Sequence, residues 1–338
     1  MAELWNCTAE EYHADESRES CGRIGVFGDS VPRYHRRFIE KAEEVKGATY
    51  DQMLGSCFHL RVLEPDKYVE QVARAPDVLA DNNSTVVGKA QWEAWQLLTL
   101  KPELFEPNFA VVADELREKK KTKAGKAAWE AAEELHAGKT IITETELAEV
   151  REHLPVNAET AKYLLTQEEE HLLAAMQVGI SENPEAVGWL TKPGRNEQGV
   201  IWEDQNTGIA CRMLADRLLE EGTVIGLKSS KTYNPEAFAR DAVNFGWHVE
   251  AAWYRRGASA LFGQQVRFIF VVVAKTPTYE AICYELDDEA MELGDAIIAG
   301  RLSHLRDCRD TDRWVSDWWG KTVKLSLPGY AFRKGLAG

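Results

Sequence analysis

Two side chains of opposite charge draw attention because the segments that carry them must be neighbours. Asp216 lies late in IACRMLADRLLEEG and Lys228 lies late in TVIGLKSS. Val200, Trp202, Ile209 and Cys211 recur among polar residues at period two, with Asn206-Thr207-Gly208 and Glu220-Glu221-Gly222 as turn residues between the runs. The pattern predicts three consecutive strands over 199–230, joined as a meander. Asn234-Pro235-Glu236 then offers an N-cap, a proline suited to the first helical position and an acidic first turn, so a helix follows directly. A carboxylate is a hard oxygen ligand for a divalent cation such as Mg²⁺, and an ammonium beside it can orient a water or steady developing negative charge.

An acid on one strand and a lysine on the next, followed by a helix, is the arrangement of PD-(D/E)XK nucleases, and the likeness extends beyond the hairpin. The chain resembles the exodeoxyribonuclease VIII type of that group, the phage and prophage recombination exonucleases. The resemblance rests on TAEEYHA (8–14), DSVPRYHRRFI (29–39), GSCFHLRVLEP (55–65), KTKAGKAAWE (121–130), GKTIITETEL (138–147), the hairpin, PEAFARDAVNFGWHVEAAWY (235–254) and LSLPGYA (325–331), in the family's order. It implies a restriction-endonuclease-like α/β core, a mixed sheet flanked by helices, with a helical N-terminal portion. It also implies Mg²⁺-dependent exonuclease action on linear double-stranded DNA ends, with Mn²⁺ as a substitute metal. A homo-oligomer closed around DNA and a partnership with a single-strand annealing protein belong to the same implication.

Carried over residue by residue, the family's metal-site histidine is His59, its hairpin acid Asp216 and its catalytic lysine Lys228. Its Arg-Pro-Asp reads Leu214-Ala215-Asp216, and its Asp-Leu-Lys reads Gly226-Leu227-Lys228. Glu250 stands where the family opens Gln-x-x-x-Tyr, with Tyr254 retained, and Glu197 matches an acid commonly found just ahead of the first hairpin strand. The second acid is therefore missing at Gly226. In one reading Glu250 replaces it: Asp216 and Glu250 bracket one Mg²⁺, His59 and Glu197 complete its surroundings, Lys228 orients the attacking water and Tyr254 steadies the scissile phosphate. In a second, the chain is an inactive pseudonuclease that binds DNA. In a third, it is a structural or regulatory protein on the same fold.

A chain of 338 residues with 44% hydrophobic content can bury a substantial core. The segmentation expected is one nuclease-like domain over 1–338, with a largely helical part (1–195), a core (196–310) and an extended aromatic tail (311–338). The start MAELWNCTAEEYHADE is polar and acidic and no run has the length to span a bilayer, so a cytoplasmic protein is expected. Six scattered cysteines form no Cys-x-x-Cys pair, which favours reduced thiols over a zinc site. A net charge of −15 opposes indiscriminate nucleic-acid binding. Positive charge is nonetheless concentrated at Lys119, Lys120, Lys121, Lys123 and Lys126, either a DNA-tracking segment or a solvated face.

The positioning elements follow from local pattern. Helices are predicted over 31–45, 50–63, 123–137, 144–154, 158–176 and 184–190, with Glu168-Glu169-Glu170 on the wet side of the fifth. His59 falls in the second, among Met53, Leu54, Phe58 and Leu60, where a histidine is ordinarily a satisfied boundary residue. Asp81 to Thr85 reads as a turn cluster. After the hairpin, one long or two abutting helices cover 235–258 with a break near Gly246. VRFIFVVVA (266–274) reads as a strand buried on both faces, 278–286 as a last strand, and Asp287 as the cap of a helix reaching about residue 306. Trp314, Trp318 and Trp319 either tuck into the domain or stack on bases.

Overall fold

The computed structural model describes residues 2–43, 49–74, 161–231, 234–316 and 318–326. The expected helices over 123–137 and 144–154 and the turn cluster at 81–85 lie outside these residues, as does the lysine cluster. Among the described residues no helix is long and apolar enough to cross a membrane.

The chain opens with β1 (Glu3–Trp5), α1 (Ala9–Ala14), α2 (Cys21–Asp29) and α3 (Val31–Tyr34), and continues into a π turn (His35–Ile39). The uniform helix expected over 31–45 is thus replaced by one helical turn and a wider one. α4 (Tyr50–Leu63) matches the predicted bounds because a capping box starts it: Thr49 Oγ1 accepts from Gln52 N, and Gln52 Oε1 accepts from Thr49 N. α5 (Pro65–Gln71) and β2 (Val72–Arg74) follow.

On the far side of residue 160, β3 (Tyr163–Leu165) pairs in parallel with β2, and α6 (Gln167–Ser181) begins only after it. The helix predicted from 158 is therefore displaced, since the apolar Tyr163–Leu165 run serves a strand and Thr166 caps the helix with Glu169 in a capping box. Glu169 is buried by that role, and Glu170 takes Arg61 and the Tyr68 hydroxyl, so the acidic triplet is not simply a wet face.

α7 (Pro184–Thr191) leads to β4 (Gly194–Glu203), β5 (Ala210–Leu219) and β6 (Val224–Ser230), which form the predicted meander. β4 starts five residues earlier than expected, which places Glu197 inside the strand rather than ahead of it. α8 (Pro235–Asn244) and α9 (Trp247–Phe262) are separated at Gly246, whose φ of +72° suits glycine. They cross over to β7 (Phe268–Ala274), which pairs in parallel with β6; β8 (Ala281–Glu285) and α10 (Asp288–Thr311), capped by Asp287, complete the order.

The six-stranded sheet runs β1-β4-β5-β6-β7-β8, all antiparallel except the β6–β7 pair. The expected mixed sheet flanked by helices is thus present, and the N-terminal segment joins it: Leu4 stands opposite Val200 at the edge. Every residue of β7 is buried, as its unbroken apolar run requires. One face packs Val200, Met213, Phe270 and Val272 against α2, α9 and α10, and the other packs Ile225, Leu227, Ile269 and Val271 against α4, α6 and α7. Each fully buried side chain of this size contributes about 1.5–3 kcal/mol, so both faces are needed to hold the sheet. Trp314 tucks onto His35, ring centroids 4.8 Å apart, whereas Trp318 and Trp319 stay exposed.

Candidate metal centre and its neighbouring lysine

β5 and β6 are in register only at Arg217↔Ile225 and Leu218↔Val224, and beyond those pairs they part. The divergence leaves the Leu227 N–H and C=O, which point toward β5, without ladder partners. Two side chains take them. Asp216 Oδ2 accepts from Leu227 N at 2.7 Å, and His59 Nε2 meets Leu227 O at 2.8 Å. A backbone carbonyl only accepts, so Nε2 carries the proton, and in the neutral ring the Nδ1 lone pair is left facing Asp216 Oδ1 at 3.5 Å. His59 reaches this point because Leu54, Cys57, Phe58 and Leu63 bury one side of α4 against the sheet, which aims the adjacent position at the parting strands.

Glu197 arrives from the other neighbour of β5. The β4–β5 register reads Asn196↔Arg217 and Gln198↔Ala215, so Glu197 faces Asp216. Its φ of +47° is a conformation that a side chain such as glutamate rarely adopts and that costs about 1–3 kcal/mol. Burial, then the carboxylates of Asp216 and Glu64, push the Glu197 carboxyl up to about 8, against the pull of Lys67. Ligand atoms of His59, Glu197 and Asp216 lie within 4.8 Å of one another. Opposite ligands of a Mg²⁺ ion stand about 4.2 Å apart, so the cluster is within roughly half an ångström of the span of a cation site. Two carboxylates and one imidazole nitrogen suit Mg²⁺ or Mn²⁺, and a cation would supply the charge that the crowded carboxylates lack.

Lys228, one residue beyond Leu227, is held by a different carboxylate. Its Nζ lies 2.8 Å from Glu250 Oε1 on α9, and 6.0 Å from the Trp247 ring centroid. Burial pulls the ammonium pKa down, but Glu250 and Asp216 outweigh it, so Lys228 holds its proton more tightly than an ordinary lysine. Tyr254, a turn further along α9, has its phenol pushed well above its usual value by burial and by nearby Tyr12, Glu250 and Asp216.

Of the six residues expected at the site, the fold joins His59, Glu197 and Asp216 in one cluster and sets Lys228 and Glu250 beside it as an ion pair, with Tyr254 partly buried near by. Glu250 therefore does not stand in the cluster as the bracketing ligand expected of it. Nor does it pair with Arg255 or Arg256, which both hold Asp295. The position that lost its acid is closed. A Cβ on Gly226 would lie 2.7 Å from Phe268 Cζ, so the ring fills the space that an aspartate would need. Sequence reasoning missed Leu227, whose role comes from its peptide groups and leaves no side-chain signal.

A crystal structure of a "Putative exonuclease" from Eubacterium rectale is similar over 98% of this chain and 99% of that chain, at 10% identity and a TM-score of 0.48. No curated protein matches the chain. A family model described as a PDDEXK-like domain of unknown function (DUF3799) matches residues 115–317, more than half of the chain, and the protein belongs to that family.

Proposed function

We propose that the protein is a divalent-metal-dependent exodeoxyribonuclease acting on the ends of linear double-stranded DNA. One observation carries the reading: His59, Glu197 and Asp216 meet within 4.8 Å at the parting of two strands, one residue from a charged and partly buried lysine. Bound there, Mg²⁺ or Mn²⁺ would polarise a phosphodiester and acidify a water. His59 would offer Nδ1 while Nε2–H on Leu227 O fixes its ring, and Asp216 would offer Oδ1 while Oδ2 stays on Leu227 N. Glu197 would give up its proton to become the second carboxylate in place of the acid missing at Gly226. Lys228, protonated and anchored by Glu250, is suited to steady a scissile phosphate or orient the attacking water. Tyr254 keeps its proton and can donate a hydrogen bond, which excludes it as a base at neutral pH.

The ordered motif resemblance supports the extension to phage-type recombination, an annealing-protein partner, a homo-oligomer around DNA and a cytoplasmic setting. Lys119, Lys120, Lys121, Lys123 and Lys126 would add DNA contacts in that arrangement. The test is digestion of linear double-stranded DNA with Mg²⁺, with Mn²⁺ and with EDTA, beside Asp216→Asn. Metal-dependent shortening from the ends by wild type, and none by the variant, is expected.

A competing reading is favoured by the Lys228–Glu250 pair, which already occupies the ammonium, and by the absence of an acid at Gly226. A DNA-binding pseudonuclease would bind Mn²⁺ at His59, Glu197 and Asp216 and leave the DNA intact in the same assay.

A further inference from the structure

A cleft of about 1180 Å³ opens on the α9 side of the molecule, walled by α1, α2, the π turn, the α8–α9 turn and α10, with Glu250 and Tyr254 on its lining. Its volume exceeds the roughly 300–1,000 Å³ of pockets that enclose one small ligand. The charges on its walls are unevenly committed. Arg23 is held by Glu19 at 3.0 Å and Arg212 by Asp15 at 3.1 Å. Glu16 is taken by Lys41, and Glu250 by Lys228. Asp29 is the remaining lining carboxylate.

Two arginines of the same cleft, Arg37 and Arg301, make no ion pair and no hydrogen bond among the described residues, although Arg37 is near enough to Glu43 to help hold that carboxyl below its usual value. Arg37 Nε is buried without a partner, its guanidinium resting 5.2 Å from the Phe38 ring centroid. Arg301 lies across Gly28, where a Cβ would stand 2.1 Å from its Nε, so the glycine clears room for the guanidinium. In a chain of net charge −15, two guanidiniums that face one cleft with no ion pair or hydrogen bond of their own call for an anion, the more so because the neighbouring Glu43 is already bonded to Arg33.

An aromatic residue stands on the same lining. Phe245, at the end of α8, is 68% exposed, and its ring sits 5.2 Å from Trp247. Trp247 is stacked on Phe238 and lies beneath the Lys228 ammonium. A duplex keeps its base faces covered by their neighbours, whereas a single strand exposes them to an aromatic ring while its phosphates meet arginines.

We propose that this cleft binds single-stranded DNA, with Arg37 and Arg301 on its phosphates and Phe245 stacked on a base. The strand would lead toward the Lys228–Glu250 pair. This inference rests on the nuclease reading, since a duplex consumed from one strand leaves the other single.

The test is fluorescence anisotropy of a fluorescein-labelled single-stranded oligonucleotide in EDTA, titrated over salt, with a duplex of the same sequence beside it. Arg37→Gln/Arg301→Gln should weaken single-strand binding at least about tenfold at low salt and reduce the log–log salt slope by about 1.4, roughly 0.7 per lost phosphate contact. Phe245→Ala should weaken binding about 5- to 100-fold and leave the slope unchanged. Circular dichroism melts identify any variant that fails to fold, and Arg37→Lys/Arg301→Lys, which keeps the charge, should keep most of the slope. Single-strand affinity and slope equal to wild type in the glutamine variant overturn the proposal, as does a loss confined to the duplex. If wild type cuts linear DNA while these variants bind normally, the cleft assignment fails and the nuclease reading stands. If the variants lose binding as described and wild type cuts nothing, the reverse holds.

Discussion

The two ionisable groups on either side of Leu227 are built on opposite principles. Lys228 and Glu250 form a closed pair at 2.8 Å, each charge answered by the other. His59, Glu197 and Asp216 form an open cluster in which two carboxylates face each other and Glu197 keeps a proton to about 8. A closed pair positions a charge, whereas an open cluster with a strained backbone at φ +47° invites a cation. The contrast teaches that the carboxylate brought to Asp216 comes from β4, while the one on α9 is spent on Lys228.

The most severe way to break this contrast is to remove the residue whose charge bears on both sides. Asp216→Asn should abolish Mn²⁺ binding, measured by calorimetry, and reduce DNA cutting by about a thousandfold. Retained metal affinity in this variant would dissolve the cluster as a metal centre. Next in size is an attempt to restore the lost acid. Gly226→Asp would push into Phe268 and bury a carboxylate, so it should destabilise the fold by about 3 kcal/mol in urea unfolding and raise no activity. A stable and more active Gly226→Asp would show that the ring yields and that β6 still forms the site.

The third prediction concerns pH. An unfolded glutamate ionises near 4.5, whereas folded Glu197 holds its proton to about 8. Ionisation therefore favours the unfolded chain through that window, and this contribution to folded stability is lost as pH rises from about 4.5 to about 8. Glu197→Gln should accordingly raise metal-free stability at pH 8 by about 2 kcal/mol, allowing for solvent screening, and leave stability at pH 4 nearly unchanged. Added Mn²⁺ should stabilise wild type but not the variant. A variant no more stable than wild type at pH 8 would mean that the two carboxylates are not in conflict.

The smallest effect is expected on the closed side. Glu250→Gln should leave Mn²⁺ affinity within about twofold of wild type while slowing cutting about tenfold, through a less firmly held Lys228. Metal affinity that falls as far as in Asp216→Asn would place Glu250 among the ligands and erase the difference between the two groups.

Much of this architecture was legible in local pattern. The helix over 50–63 was legible as α4, the seven apolar residues Phe268–Ala274 announced a strand covered on both faces, and Gly246 announced the break between α8 and α9. Tyr163–Leu165 was misread as helix because three apolar residues ahead of a helix carry no period of their own, and only pairing with β2 makes them a strand. The residue types at the site, His59, Asp216 and Lys228, were likewise set by the chain itself, because chemistry needs those side chains.

Which of them meet was decided by the tertiary structure. Glu197 reads in sequence as an acid ahead of a strand; the β4–β5 register, together with its own left-handed backbone, turns it onto Asp216. Glu250 reads as a replacement ligand, and the placement of α9 over β6 brings it to Lys228 instead. Gly226 reads as a vacancy, and Phe268, brought alongside by a parallel crossover, fills it. Periodicity records how each segment meets its own neighbours along the chain. Register, strand divergence and helix placement arise from contacts between segments far apart in sequence, and at this site those contacts divide the candidate residues between the cluster of His59, Glu197 and Asp216 and a fixed ammonium.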